Sequence, residues 1–146
     1  MKYNRYPKRD PIKDYFPLPN EVFYLGLSYG EIAVYSYLLY RENRKNFQCY
    51  PSYKTIGKAL KMSRNTVCKY VHQLEEKELI TTESTSIRTA KGEKRNGNLL
   101  YTILPIEQAK KHFYDWQLEN IDQVIADEKR RKRIEKLNLK SDKPAV

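Results

Sequence analysis

The chain has 146 residues, of which 28 are lysine or arginine and 18 are aspartate or glutamate, so its formal net charge is +10. This length suits one domain with a hydrophobic core plus one appended element, and the positive charge is typical of proteins that bind nucleic acid. The composition excludes a membrane-spanning run, and the polar, basic N-terminus is unlike a signal peptide. We therefore expect a cytoplasmic protein with no membrane partner.

The two cysteines, Cys49 and Cys68, do not form a CxxC pair or any other metal-ligand spacing. We expect two free thiols in a reducing compartment, because a single disulfide would be unusual in a domain of this size. The sequence has no metal-ligand cluster, paired-carboxylate motif or glycine-rich phosphate loop. It therefore predicts no cofactor, no metal and no catalytic site.

Residues 1–15 are predicted to be a basic N-terminal arm, because prolines interrupt a polar segment. Such an arm either follows a DNA backbone or minor groove, or is simply a solvated tail. After it, Asn20 is expected to cap a single helical turn that ends at Gly26. Ser28 and Glu31 then form a capping box before a segment that is apolar almost all round. This segment predicts a central core helix, buried on more than one side.

Residues 51–80 have the pattern of two short helices separated by a tight turn. Ser52 and Ser63 stand where N-caps belong, and residues 61–62 interrupt the apolar spacing between them. The apolar positions that share one face of each helix are Ile56 and Leu60, followed by Val67, Val71 and Leu74. Two capped helices with a short turn are typical of a helix-turn-helix.

The outward face of the second helix is the predicted reader of DNA bases. When Val67 faces the core, helical geometry turns Asn65 and Lys69 outward. Arginine and lysine suit guanine, and asparagine suits adenine, in the major groove. The predicted base-reading set is Ser63, Arg64, Asn65, Thr66, Lys69, His72 and Gln73, and the predicted backbone-contact set is Ser52, Tyr53, Lys54 and Lys58. An ordinary amphipathic helix with a solvated polar face is the alternative.

A β-hairpin is predicted after residue 80, with strands at residues 81–89 and 98–104 and a further short strand at residues 47–50. Gly92 and Gly97 are expected to supply positive φ in the intervening turn. A basic hairpin after a helix-turn-helix is a wing that can grip phosphates. Its predicted DNA contacts are Arg88, Lys91, Lys94 and Arg95. The alternative is that the turn is simply soluble and mobile, with no contact to DNA.

Residues 105–140 predict a long C-terminal helix, opened by Pro105, with two neighbouring apolar stripes. Together the stripes are wider than packing on one domain requires, so we expect one of them to join two copies in a homodimer. An intramolecular role for both stripes is the alternative. The predicted dimerisation residues are Tyr114, Leu118, Ile121 and Ile125. The basic run from Lys129 continues the helix, frays, or adds phosphate contacts, and residues 141–146 are expected to be a disordered tail.

Residues 49–80, CYPSYKTIGKALKMSRNTVCKYVHQLEEKELI, resemble the helix-turn-helix core of a family of bacterial winged-helix proteins frequent on plasmids and integrative elements. Residues 16–39, FPLPNEVFYLGLSYGEIAVYSYLL, resemble the opening of the same family. The likeness covers roughly residues 16–104. This part of the chain is also similar to the N-terminal winged-helix domain of plasmid replication initiators. It implies DNA contact through the wing and through Ser63, Arg64, Asn65, Thr66 and Lys69.

The predicted fold is mainly α, a winged helix-turn-helix with a small β-hairpin wing and an added long C-terminal helix. Residues 16–104 would form the winged domain and residues 105–140 the helix. The predicted function is sequence-specific binding of double-stranded DNA, as a transcriptional regulator or as a replication or mobilisation accessory factor, and not catalysis. Two alternatives come from other classes. One is a winged-helix module for protein contact, and the other is a nucleic-acid enzyme with a tyrosine nucleophile.

Overall fold

The computed structural model describes residues 13–142, which contain five α-helices and five short β-strands. The helices are α1 (Tyr29–Arg41), α2 (Tyr53–Leu60), α3 (Arg64–Glu76), α4 (Ile106–Glu119) and α5 (Ile121–Ser141). The strands are β1 (Gln48–Cys49), β2 (Ile80–Glu83), β3 (Ser86–Arg88), β4 (Lys94–Asn96) and β5 (Leu100–Ile103). The predicted arm through residue 12, and the end of the predicted tail from residue 143, lie outside the described residues.

Helix α1 lies at the centre of the hydrophobic core and packs against both α2 and α3. Its fully buried apolar residues, Val34, Tyr35 and Leu38, share one arc of about 100°, and Tyr37 and Leu39 on the two sides of that arc are half-buried against the core. The core is completed by Ile56, Val67, Val71, Leu74, Leu79, Ile80 and Tyr101, among others. The prediction of a central core helix beneath a helix-turn-helix is therefore confirmed.

A three-stranded antiparallel sheet in the order β1-β5-β2 closes one side of this core. Strand β1 pairs Gln48 with Thr102, which confirms the short strand expected at residues 47–50. Along β5, Tyr101 and Ile103 are buried while Leu100 and Thr102 are half-buried, which is the alternation of a strand with one face on the core. With the hairpin on this sheet, the fold is a winged helix-turn-helix, as predicted.

The predicted hairpin is bent rather than continuous. Strands β2 and β5 pair as far as Glu83 and Leu100, whereas β3 and β4 resume the pairing at Ser86 and Asn96. Residues 84–85 therefore oppose residues 97–99, so the returning strand carries a bulge that redirects the tip.

The two hairpin glycines serve different purposes. Gly92 has a φ of +81°, as expected for the turn. Gly97 does not have positive φ, so that expectation was wrong. A Cβ at Gly97 would instead clash with the Thr85 hydroxyl, so glycine favours the close approach of the two strands at the bulge.

The predicted capping box at the start of α1 is only half present. The Ser28 hydroxyl accepts a hydrogen bond from the Glu31 backbone N–H at 3.3 Å. The Glu31 carboxylate, which is 3% exposed, pairs instead with the Lys77 ammonium at 2.7 Å. Lys77 also donates to the Gly26 carbonyl at 3.2 Å. This partly buried pair ties the start of α1 to the end of α3.

The turn before α1 differs slightly from its prediction. Asn20 is the first residue of a 3-10 turn, Asn20–Phe23, and Pro19 occupies the capping position without a side-chain hydrogen bond. Gly26, at a φ of +69°, follows the turn as expected. A Cβ at Gly26 would lie 3.2 Å from the Phe113 ring, so α4 packs closely on this loop.

The predicted long C-terminal helix is interrupted at Asn120, where φ is −114°. The Asn120 backbone N–H still donates to the Trp116 carbonyl at 3.0 Å, but the Asn120 side-chain amide donates to the same oxygen at 2.8 Å. A side chain that competes for a helical acceptor bends the helix, so the segment divides into α4 and α5. Ala109 anchors α4 in the core, whereas α5 has no buried residue.

Both cysteines are free, as expected. Cys49 is buried, and burial raises the pKa of its thiol to about 11. Cys68 is half-buried on α3. Among the helices between residues 13 and 142, none combines the length and the apolar character needed to cross a membrane.

The partly buried pair of Glu31 and Lys77 gives the first prediction. Lys77→Met leaves the Glu31 carboxylate buried without its cation, so we expect the free energy of unfolding to fall by about 2 kcal/mol. Urea unfolding followed by circular dichroism measures the change. The double variant Glu31→Gln/Lys77→Met, which buries no charge, should recover part of the loss. Equal stabilities of the wild-type protein and Lys77→Met would show that the pair does not hold α3 on α1.

Candidate nucleic-acid interface

The turn between α2 and α3 depends on a close backbone approach at Gly57. The Met62 N–H donates to the Gly57 carbonyl at 2.9 Å, and Lys61 adopts a left-handed conformation with a φ of 59°. A Cβ added at Gly57 would lie 2.5 Å from the Met62 carbonyl oxygen. Glycine therefore allows the chain to fold back here, in the break expected at residues 61–62.

Matching serine caps begin the two helices, as predicted. Ser52 Oγ accepts from the Thr55 N–H at 3.1 Å, and Ser63 Oγ accepts from the Thr66 N–H at 3.2 Å. Each serine hydroxyl also shares a hydrogen bond with the hydroxyl of the same threonine, at 2.9 Å and 2.8 Å. The hydroxyls of Ser63 and Thr66 are thus engaged within the helix, and any DNA contact would have to share them.

The two faces of α3 have the orientation that the sequence predicted. Val67, Tyr70, Val71 and Leu74 are buried against the core. The predicted base-reading residues lie on the other side, where Ser63, Arg64, Asn65, Lys69 and His72 are exposed and Thr66 and Gln73 are half-buried. This exposure agrees with a reading face, although contact with DNA stays a prediction.

The exposed α3 side chains differ in whether they interact with neighbouring side chains. Within residues 13–142, the side chains of Arg64 and Asn65 form no hydrogen bond or ion pair. The Lys69 ammonium lies 5.1 Å from the centre of the Tyr70 ring, and His72 Nδ1 lies 3.6 Å from a Glu75 carboxylate oxygen. Arg64 and Asn65, at the start of the helix, are therefore the side chains best able to contact an outside partner.

A groove brings together residues that the sequence assigned to separate sets. It has a volume of about 550 Å³ and lies between the start of α2, the start of α3 and the base of the hairpin. We call it the helix–hairpin groove. Its lining includes Ser52, Tyr53, Lys54, Arg64, Asn98 and Tyr101. Lys58 is exposed on α2 but lies outside the lining.

Tyr53 is more deeply placed than its prediction as a backbone contact suggested. Burial raises its pKa to about 12, and the neighbouring Cys68 thiol adds to the rise. Behind it, Tyr101 is fully buried, and no hydrogen-bond partner for its hydroxyl is present in the described part of the chain. Tyr53 thus lies close to Cys68 of α3 and also lines the groove.

The predicted wing contacts lie apart from this groove. Arg88, Lys91, Lys94 and Arg95 are all exposed around the tip of the hairpin. The only ion pair among them within the described residues joins Arg95 to Glu93 at 3.6 Å, and both side chains are well exposed. Surface pairs of this kind contribute little, so the tip presents a largely unneutralised positive charge.

The predicted dimerisation residues lie on the two C-terminal helices, α4 and α5. Their side chains are between 45% and 69% exposed: Tyr114, Leu118, Ile121 and Ile125. Their spacing of four, three and four residues is that of one helical face, with the kink at Asn120 between Leu118 and Ile121. That they pair two copies stays a prediction.

Asn98 belongs to the groove and was absent from the predicted sets. Its side-chain amide donates to the Tyr50 carbonyl at 3.2 Å and fastens the hairpin to the segment before α2. An asparagine after a glycine indicates a turn but not a distant partner, so the sequence carried no signal for this contact. Within residues 13–142, no group of three or more histidine, cysteine or acidic side chains is arranged to hold a metal.

Known proteins share part of this arrangement. Residues 25–80 match the family model described as a helix-turn-helix domain. The match runs from the loop before α1 to the first residue of β2 and includes both capped helices. It agrees with the resemblance to a helix-turn-helix core, whereas the plasmid and replication-initiator context stays a prediction. Among curated proteins, none matches this chain.

Several solved structures are similar over most of the chain. A possible transcriptional regulator from Methanosarcina mazei Go1 is 19% identical, over 73% of this chain and 80% of that one, with a TM-score of 0.46. The S. aureus MepR–DNA complex is 20% identical, over 80% and 86%, with a TM-score of 0.37. Lactococcus lactis ZitR in complex with DNA is 17% identical, over 75% and 71%, with a TM-score of 0.34. None of these scores reaches 0.5, so these structures do not decide what this chain binds.

The close approach at Gly57 gives the second prediction. Gly57→Ala places a methyl group against the Met62 carbonyl, so we expect the free energy of unfolding to fall by about 2 kcal/mol. Lys58→Ala, at the next and exposed position of the same helix, is the control and should change stability by less than about 0.5 kcal/mol. Urea unfolding of both variants measures the difference. A fully stable Gly57→Ala would mean that the turn can open without cost.

Proposed function

We propose that this chain binds double-stranded DNA in a sequence-specific manner through its winged helix-turn-helix. The observation that carries the proposal is the exposed first half of α3, where Arg64 and Asn65 have no partner among the described residues. Guanidinium and amide groups recognise guanine and adenine edges in the major groove. A helix that presents both groups from its first turn, on a platform held by the core, is suited to that task.

The distribution of charge along α3 supports one direction of approach. Arg64 and Lys69 lie in its first half, whereas Glu75 and Glu76 lie in its last turn. The amino-terminal end of a helix also carries a partial positive charge. The start of α3 is therefore the end that enters the groove of the DNA, and the acidic end stays away from the phosphates.

Contacts to the DNA backbone come from two places. The helix–hairpin groove offers the start of α2, with Lys54 and the Ser52 cap, beside Arg64. The basic tip of the wing adds Arg88, Lys91, Lys94 and Arg95, which reach the flanking phosphates or minor groove. Phosphate contacts set position and salt dependence, whereas base contacts set specificity.

The cellular role that we propose is that of a transcriptional regulator or of a replication or mobilisation accessory factor. The helix-turn-helix match supports DNA binding in both roles equally. Neither role requires catalysis by this chain.

We also propose that the chain acts as a homodimer through α4 and α5. Tyr114, Leu118, Ile121 and Ile125 have the alternating four-three spacing of a helix-pairing seam, and their side chains are about half exposed or more. In a two-fold symmetric dimer, the seam of one copy packs against the same seam of the other copy, so both apolar faces are covered. The occupant of this face is therefore a second copy of the chain.

Selection from random duplex DNA tests site specificity and dimerisation together. If the chain binds DNA specifically, one motif should be enriched. If it binds as a dimer, the motif should contain two inverted half-sites about 10 base pairs apart, or a multiple of that spacing. A single half-site would remove the dimer but keep the reader. The absence of any affinity for duplex DNA at low salt would favour a winged-helix module for protein contact instead.

The base-reading assignment gives the third prediction. Arg64→Ala or Asn65→Ala should weaken binding to the selected site by about 1–3 kcal/mol and should relax base preference at one position. Lys94→Ala, on the wing tip, should weaken binding to selected and random duplexes alike. Fluorescence anisotropy with both duplexes measures the difference. Equal losses from Arg64→Ala on both duplexes would overturn base reading by this residue.

The proposed seam gives the fourth prediction. Leu118→Asp places a charge in the centre of an apolar interface, so we expect monomers in sedimentation experiments at concentrations where the wild-type protein is dimeric. Leu137→Asp is the control, because Leu137 is similarly exposed but lies on the other side of α5. If both variants sediment like the wild-type protein, the seam does not join two copies.

A further inference from the structure

Helix α5 carries a concentration of positive charge that the winged domain does not use. Lys129, Arg130, Arg131, Lys132 and Arg133 are consecutive, and all are exposed. Only Lys132 has an ion pair among the described residues, with Glu128 at 3.4 Å. The remaining charges are not neutralised by any part of the chain that the structure describes.

The basic side chains of α5 are arranged along one side of the helix. Counting 100° per residue, five of them fall within an arc of about 100°. These five residues, which we call the α5 basic stripe, are Lys129, Lys132, Arg133, Lys136 and Lys140. The stripe is about 16 Å long at 1.5 Å per residue, which equals the rise of about five nucleotides in one DNA strand.

The folding of the chain does not account for the stripe. Basic residues near a helix end complement the helix dipole, but that effect fades within the last turn. The stripe begins at Lys129, three turns before α5 ends at Ser141. Lysines and arginines four residues apart also repel one another, which weakens the isolated helix. A polyanion laid along the stripe would remove this repulsion.

The chemistry of α5 favours a nucleic-acid backbone over a membrane surface. A helix that lies on a bilayer needs a broad apolar face beside its basic face. On α5, Ile134 and Leu137 point to the opposite side from Ile121 and Leu139, so its apolar residues do not form such a face. The hydrophobic seam ends at Ile125, one turn before the stripe begins, so the apolar and basic segments of this side of α5 follow one another along the helix.

We propose that the α5 basic stripe is a second DNA-contacting surface, which binds the phosphate backbone beyond the site read by α3. This inference rests on the proposed function, because attachment to a DNA-bound reader raises the effective concentration of phosphates at α5. The contact is independent of sequence, since no side chain of the stripe enters a fixed geometry. It adds affinity and salt dependence to binding and leaves base preference unchanged.

The test compares two variants of the full chain that lose the same charge. Lys129→Gln/Lys136→Gln removes two charges of the stripe, whereas Arg130→Gln/Arg131→Gln removes two charges that point elsewhere on the helix. Glutamine keeps helix propensity close to that of lysine and arginine, and circular dichroism checks the helix content. Binding to a long duplex of about 30 base pairs is measured between about 50 and 200 mM salt.

We expect the stripe variant to lower the slope of log affinity against log salt by about 1.8, for two lost phosphate contacts, and the matched variant to lower it clearly less. The preferred sequence should stay that of the wild-type protein. Equal losses from the two variants, or no loss from either, would overturn the stripe and indicate only a general effect of charge. Vesicles of phosphatidylserine and phosphatidylcholine are a further arm, in which stripe-dependent binding without a change in the DNA slope would assign α5 to a membrane.

Failure of the proposed function would look different. Without sequence-specific binding, Arg64→Ala would not change base preference, yet the salt slopes of the two α5 variants would still differ on random duplex if the stripe contacts phosphates. The slope of the α5 variants and the base preference of the α3 variant therefore report on the two proposals separately.

Discussion

The arrangement of this molecule depends on one short contact, the approach of the Met62 carbonyl to Gly57. Because no side chain stands between them, the turn from α2 into α3 takes few residues and the two helices meet at a defined angle. That angle buries Val67 and Val71 on one side of α3 and exposes Arg64 and Asn65 on the other. A wider turn would rotate α3 about its axis or lift it from the core, and the exposed set would change with it.

A second contact prevents α3 from moving away from the rest of the domain. The partly buried pair between Glu31 and Lys77 joins the end of α3 to the first turn of α1, while the first turn of α3 is held by the α2 turn. The helix is therefore fastened at both ends, with the apolar core between them. Preorganisation of this kind matters for a helix that reads bases. If the helix had to become ordered on binding, the entropy cost would weaken the binding of the DNA site.

The chain divides its charges according to how firmly each part is held. The partner-free side chains of α3 stand on a helix whose other face is buried in the core, which suits contacts that need fixed geometry. The basic groups of the wing tip and of α5 lie on elements with few or no buried residues. Phosphate contacts tolerate such freedom, because Coulomb attraction is less directional than a bidentate hydrogen bond to a base. Base contacts, which need a rigid helix, and phosphate contacts, which tolerate mobile side chains, would thus lie on different parts of the chain.

The amino-acid sequence by itself determined the helix-turn-helix, its serine caps, the central core helix and the identity of the exposed α3 residues. These features follow from contacts between residues three or four apart, which periodicity and capping residues report directly. The bulge in the hairpin, the turn of Glu31 from its capping box toward Lys77, and the kink at Asn120 were not predicted. The groove that unites Ser52, Lys54 and Arg64 with Asn98 was also missed. Each of these depends on groups distant in sequence or on competition for one acceptor, and only the tertiary structure decides which partner a side chain finds.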